Sequence, residues 1–343
     1  MNGKKRLEYV DVARGIAMIC IVLGHLGNDA INRVVFTFHL PIFFFISGYF
    51  LSERGTFKEF TEKKFRAYIV PYYFTCLVIT LLALLKAALR HKTLLPEFMH
   101  WTWATIYAAG TTEADPFFGI VIGALWFLWA TFWGTLILRL CQKLKPVCRI
   151  IIIGSVFTLC QLTAPIFWLP LDIQAGGTAS LFMYLGWLLK KNQLQIETIR
   201  DKEVRFVGFV GALFIWFYAV MNFKGFYLVH DEIHNGILDI IGGICGSILL
   251  LLLSYLMTKR TAKLADFLSW AGKYSLLFLS VHITELNLLP WNKIVTKAVS
   301  LTGIFPVTDS AVFCYVIIAK FLFIFIAMWI LLKSRIIRKI YRY

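Results

Sequence analysis

The sequence predicts an all-α, polytopic integral membrane protein with about ten transmembrane helices and both termini in the cytoplasm. Three observations carry this. Of 343 residues, 59% are hydrophobic and only 16% charged, with a mean hydropathy of +0.73, whereas soluble domains are about one quarter charged. Apolar runs of about twenty residues, long enough to cross a bilayer, recur between charged clusters. The lysines and arginines gather in alternate connecting segments.

Ten such runs begin near Val12, Val34, Ile69, Phe118, Ile150, Gly176, Phe206, Ile237, Tyr274 and Ala311. The even count places both ends on one side. With the N-terminus inside, 26 of the 35 basic residues fall on cytoplasmic segments and seven on outer ones, while Arg14 and Lys320 lie within spans. The net charge of +16 is spread along all cytoplasmic edges, so it reads as topology signals and lipid-headgroup contacts rather than a nucleic-acid surface.

The opening "MNGKKRLEYVDVARG" has a basic end followed by an apolar run. Arg14 interrupts that run, no small-x-small cleavage site follows, and another span comes next, so a retained first helix is expected rather than a signal peptide. The longest outer segment, Arg90 to Pro116, carries "EFMHWTWATIYAAG". Its Trp101, Trp103 and Tyr107 suit a helix lying in the membrane interface. The seven cysteines fall mostly inside spans and form no CxxC pair, which argues for neither a disulfide framework nor a metal site. Without an internal repeat or a Pro/Gly/Ser linker, residues 1–343 read as one membrane domain.

The informative residues are the polar ones at depth, because each charged group in hydrocarbon costs at least about 2.5 kcal/mol unless paired or wetted. In "RGIAMICIVLGH" Arg14 and His25 stand eleven residues apart. That is close to three helical turns, so they share a face about 16 Å apart along the axis. Asp11 precedes Arg14 by three residues and can pair with it. The second span, "FTFHLPIFFFISGYFL", holds His39 and Ser47, a proline that opens the backbone at Pro41 and a close-approach glycine at Gly48, which together read as a cavity wall. Trp126 lies in the fourth span. The ninth, "GKYSLLFLSVHITE", puts Ser275, His282 and Glu285 on one face at separations of seven and three, turned toward protein or water, with His282 and Glu285 expected to face the first two helices across a polar cavity. Lys320 in the tenth span is expected to be a buried counter-ion for Glu285. The outer "HDEIH" sets His230 and His234 at i and i+4, but it is not HExxH, and contact with an acceptor suits it better than a metal.

These segments resemble acyltransferase family 3, the integral membrane O-acyltransferases, and within it the fucose 4-O-acetylase-like branch. The resemblance rests on "DVARGIAMICIVLGH", "FHLPIFFFISGYF", "KKFRAYIVPYY", "ALWFLWATFW" and "GKYSLLFLSVH", in the family's order along nearly the whole chain. It implies a multi-pass protein of the bacterial cytoplasmic membrane that moves an acyl group, an acetyl group in the simplest case, from cytoplasmic acyl-CoA to a hydroxyl of an envelope glycan or lipid-linked sugar. It also implies functional roles for Arg14 and His25 and for the basic turn at Lys63, Lys64 and Arg66. Related proteins often carry two arginines in that turn, where this chain has only Arg66. The soluble esterase-like domain that some members append is not expected here.

The chemistry is consistent on its own terms. The phosphates of acyl-CoA call for cations at the cytoplasmic mouth, and Arg14, Lys64 and Arg66 fall on that side. The pantetheine arm is of the length that separates Arg14 from His25. A desolvated imidazole at His25 suits a general base, with Arg14 and its partner Asp11 at the other end. Ser47, His39 or Trp126 could donate to the developing oxyanion. Trp126 also belongs to the expected donor pocket, and Ser275, His282 and Glu285 to the substrate wall. An acyl-enzyme on Ser47 or Ser275 stays open beside direct transfer. So do a transporter or flippase using Arg14, His25, His282 and Glu285 as a path, and a non-catalytic sensor.

Overall fold

The computed structural model describes residues 7–192, 202–302 and 306–343; the basic cluster at positions 4–6 and Arg200 lie outside them. The described chain is helical apart from one small ribbon. In order come α1 (Glu8–Gly24), α2 (Asp29–Val35), α3 (Pro41–Tyr49), α4 (Phe57–Lys64), α5 (Val70–Leu89), α6 (Leu94–Tyr107), α7 (Trp126–Cys141), α8 (Pro146–Thr163), α9 (Ile173–Lys191) and α10 (Lys202–Met221). An antiparallel ribbon, β1 (Phe226–Tyr227) with β2 (Glu232–Ile233), pairs Phe226 with Ile233. Then follow α11 (Ile237–Arg260), α12 (Ala262–Lys273), α13 (Ser275–Leu288), α14 (Trp291–Thr302), α15 (Asp309–Leu331) and α16 (Arg335–Tyr341).

Among the described residues, four helices are long and apolar enough to cross a membrane: Phe57–Leu89, Pro146–Thr163, Ile237–Arg260 and Asp309–Leu331. Shorter apolar helices occupy Trp126–Cys141, Phe206–Met221 and Ser275–Leu288. Most of the polar residues at depth sit in short or interrupted helices, Lys320 in the long α15 being the exception. Asp11 and Arg14 stand in the first two turns of α1, and the predicted second span is broken into α2 and α3. Pro41 occupies the first turn of α3, where its missing amide does no harm, and His39 lies in the break.

Two expectations need correction. The fourth span starts at Trp126 rather than near Phe118, because Gly119 and Gly123 adopt φ of 62° and 79°, which a right-handed helix does not accommodate. The interface helix forms as α6, but its aromatic side chains turn inward. Trp101 is buried, Trp103 donates its indole N–H to Asp115 Oδ2 at 2.9 Å, and the Tyr107 hydroxyl donates to the carbonyl of Trp168 at 2.6 Å.

Glycines set the spacing around the future site. A Cβ on Gly15 would strike the Leu268 carbonyl, and one on Gly272 would strike that of Asp11, so α1 and α12 meet backbone to backbone. Gly48 and Gly186 do the same for α3 and α9. Not every cation of the charge pattern is free to meet lipid headgroups. Arg139, which is buried, donates to the carbonyls of Ser52 and Gly55 at 3.2 and 2.6 Å. Arg149 donates to Cys141, Gln142 and Leu144 carbonyls. These two arginines tie down connecting segments, which the charge pattern alone does not distinguish from topology signals.

Candidate functional site

A cavity of about 780 Å³ runs between α1, α3, α7, α13 and the ribbon. Its lining changes character along its length. At one end stand Arg14, Lys273, Tyr68, Ser275 and Tyr343; His25, His39, Ser47 and Trp126 follow; at the other end are Thr111, Glu113, Tyr227, His230 and Glu232. Every lysine and arginine of the lining belongs to the first end, and both glutamates to the last.

His25 caps the C-terminal end of α1. Its side chain is exposed, and the surface it exposes faces the cavity. Its Nδ1 is 2.7 Å from the carbonyl of Ile21. A carbonyl only accepts, so Nδ1 carries the proton and Nε2 carries the free lone pair. His282 stands behind it, with Nε2 3.4 Å from His25 Nδ1. His282 Nδ1 donates to Glu285 Oε1 at 2.8 Å, which leaves His282 Nε2 unprotonated and facing the His25 N–H. Glu285 is held in turn by Lys320 Nζ at 3.1 Å and by the indole N–H of Trp291. His282, Glu285 and Lys320 are 0%, 1% and 3% exposed, so this chain of groups from α1, α13, α14 and α15 is closed to lipid. A buried ionic chain of this kind persists because each charge is partnered. Lys320 meets Glu285 as its position in the tenth span suggests.

His39 repeats part of this arrangement, its Nδ1 donating to the Val35 carbonyl at 2.7 Å. Its ring stacks on Phe36 with centroids 4.9 Å apart. Trp126 is 3% exposed and lines the cavity, and among the described residues its indole N–H has no hydrogen-bond partner in the protein. It is therefore available as a donor to a ligand.

The structure brings Arg14, His25, His39, Ser47, Trp126 and Ser275 to one cavity. His282 and Glu285 stand behind His25 and are not among the lining residues. Asp11 is buried, its carboxylate 3.6 Å from Arg14 Nη1, and also lies off the cavity. In the basic turn, Lys63 and Arg66 are exposed and line no part of it. Lys64 lies over the rings of Phe60 and Tyr68 at 5.6 and 5.3 Å, and Tyr68 does line it. That turn passes from the end of α4 into a π-helical segment, Phe65–Ile69, two residues before Pro71; the proline lacks the amide that would continue the regular ladder. Among the described residues no hydrogen bond joins His25 to Ser47 or Ser275.

Sequence reasoning missed Lys273, Tyr341, Tyr343 and Glu113, all lining residues. Lys273 offered no signal beyond one more cytoplasmic-edge charge, and the tyrosines read as membrane-edge aromatics. His230 and His234 both approach Glu232, at 2.9 and 3.8 Å, within a hairpin rather than on a helix. Among the described residues no group of three His, Cys, Asp or Glu side chains forms a metal-binding set. Near this end Asp115 lies below the usual carboxylate range. Burial opposes its ionisation, but the amides of Ile120, Phe117 and Phe118 and the Trp103 indole outweigh that cost.

No solved structure matches the chain. Nodulation protein NolL of Sinorhizobium fredii is 27% identical over 176 residues, covering 47% of this chain and 43% of that protein. Nodulation protein NolL of Mesorhizobium japonicum is 30% identical over 146 residues, covering 38% and 34%. The chain thus spans less than half the length of these curated relatives. The acyltransferase domain that defines acyltransferase family 3 matches residues 7–333, nearly the entire sequence, and the chain belongs to that family.

Proposed function

We propose that this protein is a membrane O-acyltransferase that takes an acyl group, most simply acetyl, from cytoplasmic acyl-CoA and places it on a hydroxyl of an envelope carbohydrate or lipid-linked sugar. The observation that carries the reading is one cavity with a cationic end and an acidic, aromatic end, with the bare Nε2 of His25 between them. In this reading the chain crosses the bacterial cytoplasmic membrane ten times with both termini inside. The cationic end is then the cytoplasmic one, and the loops holding Glu113 and His230 face outward. Phosphates rest against Arg14 and Lys273, and the thioester reaches His25 about 16 Å further along α1.

The acceptor enters from the acidic end. Its hydroxyl oxygen attacks the thioester carbonyl carbon as His25 Nε2 takes the hydroxyl proton. The resulting imidazolium donates from Nδ1 to Ile21 and faces His282, which Glu285 backs. The Trp126 indole N–H stabilises the carbonyl oxygen as it gains charge. When the tetrahedral intermediate collapses, the C–S bond breaks and the thiolate takes the proton back from His25, giving the ester and free CoA. Direct transfer needs no serine linked to the base, in keeping with the positions of Ser47 and Ser275.

The deciding experiment supplies detergent-purified protein with radiolabelled acetyl-CoA. Transfer to an added glycan, or slow hydrolysis without one, is the expected outcome. Absence of both, with the protein folded, favours a transporter or sensor on this fold. Mass spectrometry of envelope glycans from deletion and parent strains identifies the acceptor.

A further inference from the structure

We propose that residues Tyr341 to Tyr343 form the inner wall of the donor entrance and set acyl-CoA affinity, with Tyr343 meeting the donor itself; this rests on reading the cationic end as that entrance. The segment is fixed in place. Arg342 adopts φ 61°, ψ 42°, a left-handed conformation that is unfavourable for a non-glycine residue. Strain of this kind persists only where surrounding contacts over-determine it, and here they do.

Tyr343 N–H donates back to the Arg338 carbonyl at 2.8 Å, closing α16. The Tyr341 hydroxyl is 3.0 Å from Thr75 Oγ1, which is 2.9 Å from Ser280 Oγ on α13. Arg342 Nη1 donates to the carbonyl of Lys63 at 3.2 Å, so the basic turn is joined to the mouth of the cavity through its backbone. The Tyr343 hydroxyl accepts from the Leu277 amide at 3.3 Å, in the first turn of α13. Its ring meets Tyr274 edge-on at 4.7 Å.

Tyr341 and Tyr343, whose rings stack with centroids 6.2 Å apart, thus line the cavity beside Arg14, Lys273 and Ser275. The positive end of the α13 dipole points to the same place. A nucleotide thioester brings phosphates, which these cations and the helix end attract, and a flat purine, which an aromatic face receives. The acidic end of the cavity offers neither cation.

The test is calorimetry with CoA itself, which binds without turnover, on the full-length protein in detergent. Tyr343→Ala should weaken CoA binding roughly tenfold, as loss of an aromatic contact does, and raise the apparent KM for acetyl-CoA alike while kcat stays within about twofold. Tyr343→Phe should retain near-parent affinity, because the ring remains. Tyr343→Leu, which fills the space without an aromatic face, should behave as the alanine variant does and guards against a folding defect, checked by melting temperature. Folded Tyr343→Ala and Tyr343→Leu proteins that bind CoA as tightly as the parent overturn the proposal. A parent protein that binds no CoA overturns the donor reading of this end, and the wall with it.

Discussion

His25 and His39 line the same cavity, and each donates from Nδ1 to the carbonyl four residues earlier, both at 2.7 Å. The local device is identical, and it fixes the same tautomer in each. What differs is the far side of the ring. His25 faces His282, and through it Glu285 and Lys320, whereas His39 is stacked on Phe36. Among the described residues no acidic side chain hydrogen-bonds to His39 or to a group that does. One histidine therefore has a place to hold a positive charge during a reaction, and the other has only a lone pair and a hydrogen bond to offer. A local motif makes an imidazole neutral and oriented; contacts from distant helices decide whether it can act as a base.

The comparison breaks most readily on turnover. His25→Ala should lower kcat by about a hundredfold or more, the loss expected for a general base, while CoA affinity stays near that of the parent. Glu285→Gln should cost between about tenfold and a hundredfold in kcat, as a lost charge-assisted hydrogen bond does, although Glu285 touches no ligand. That variant also strands the Lys320 ammonium and should melt earlier. The double variant Glu285→Gln, Lys320→Met removes both charges, so its melting temperature should recover while kcat remains low. Recovery of kcat as well would reduce Glu285 to a structural partner.

His39→Gln keeps a hydrogen-bonding side chain and should cost less than about tenfold in kcat. A loss equal to that of His25→Ala would mean that the two rings share the proton. Arg14→Ala should leave kcat nearly unchanged and weaken CoA binding by about 1.5–3 kcal/mol, the worth of a charge-assisted contact, as read by calorimetry. Asp11→Asn, made separately, reports how far the Asp11 carboxylate sets that affinity through its pairing with Arg14.

Much of this was legible in the sequence. Apolar runs located the long helices Phe57–Leu89, Pro146–Thr163, Ile237–Arg260 and Asp309–Leu331, and the three-turn spacing put Arg14 and His25 on one cavity wall, because helical periodicity is a local property. The counter-ion at Lys320 followed from the cost of lone charges in hydrocarbon, whereas the stripe expected of Ser275, His282 and Glu285 divides, Ser275 lining the cavity and the other two standing behind His25. The same cost led to the expectation that His282 faces the first two helices, but not to its direct meeting with His25 at 3.4 Å, since those residues are 257 positions apart and spacing carries no information at that range. Nor did it show the break around His39 and Pro41, or the late start of α7 at Gly119 and Gly123, where a hydropathy run continued but the backbone did not.

The smallest effect on turnover should come from Asp231, and it separates the architecture of the β1–β2 hairpin from its chemistry. Asp231 lies between His230 and Glu232, which line the cavity, but its own side chain is buried toward α8 and α9, near Cys160, Asp172 and Thr178. Burial pushes its carboxyl up to about 7. Asp172 is pushed up as well, by burial first and by Asp231 in addition, against a hydrogen bond from Trp168. The folded protein thus holds a proton on Asp231 that the unfolded chain releases once pH passes its ordinary value near 4. Stability from this group is complete below that value and is lost as pH rises toward 7. Asp231→Asn preserves the shape without the titration, so its melting temperature should fall less steeply than the parent's between pH 5 and pH 7, with kcat unchanged. Asp172 contributes a slope of the same sign, so some pH dependence should remain. A variant whose melting curve tracks the parent's at every pH would show that Asp231 is ionised in the fold. A large loss of kcat would instead place its carboxyl in the acceptor's path.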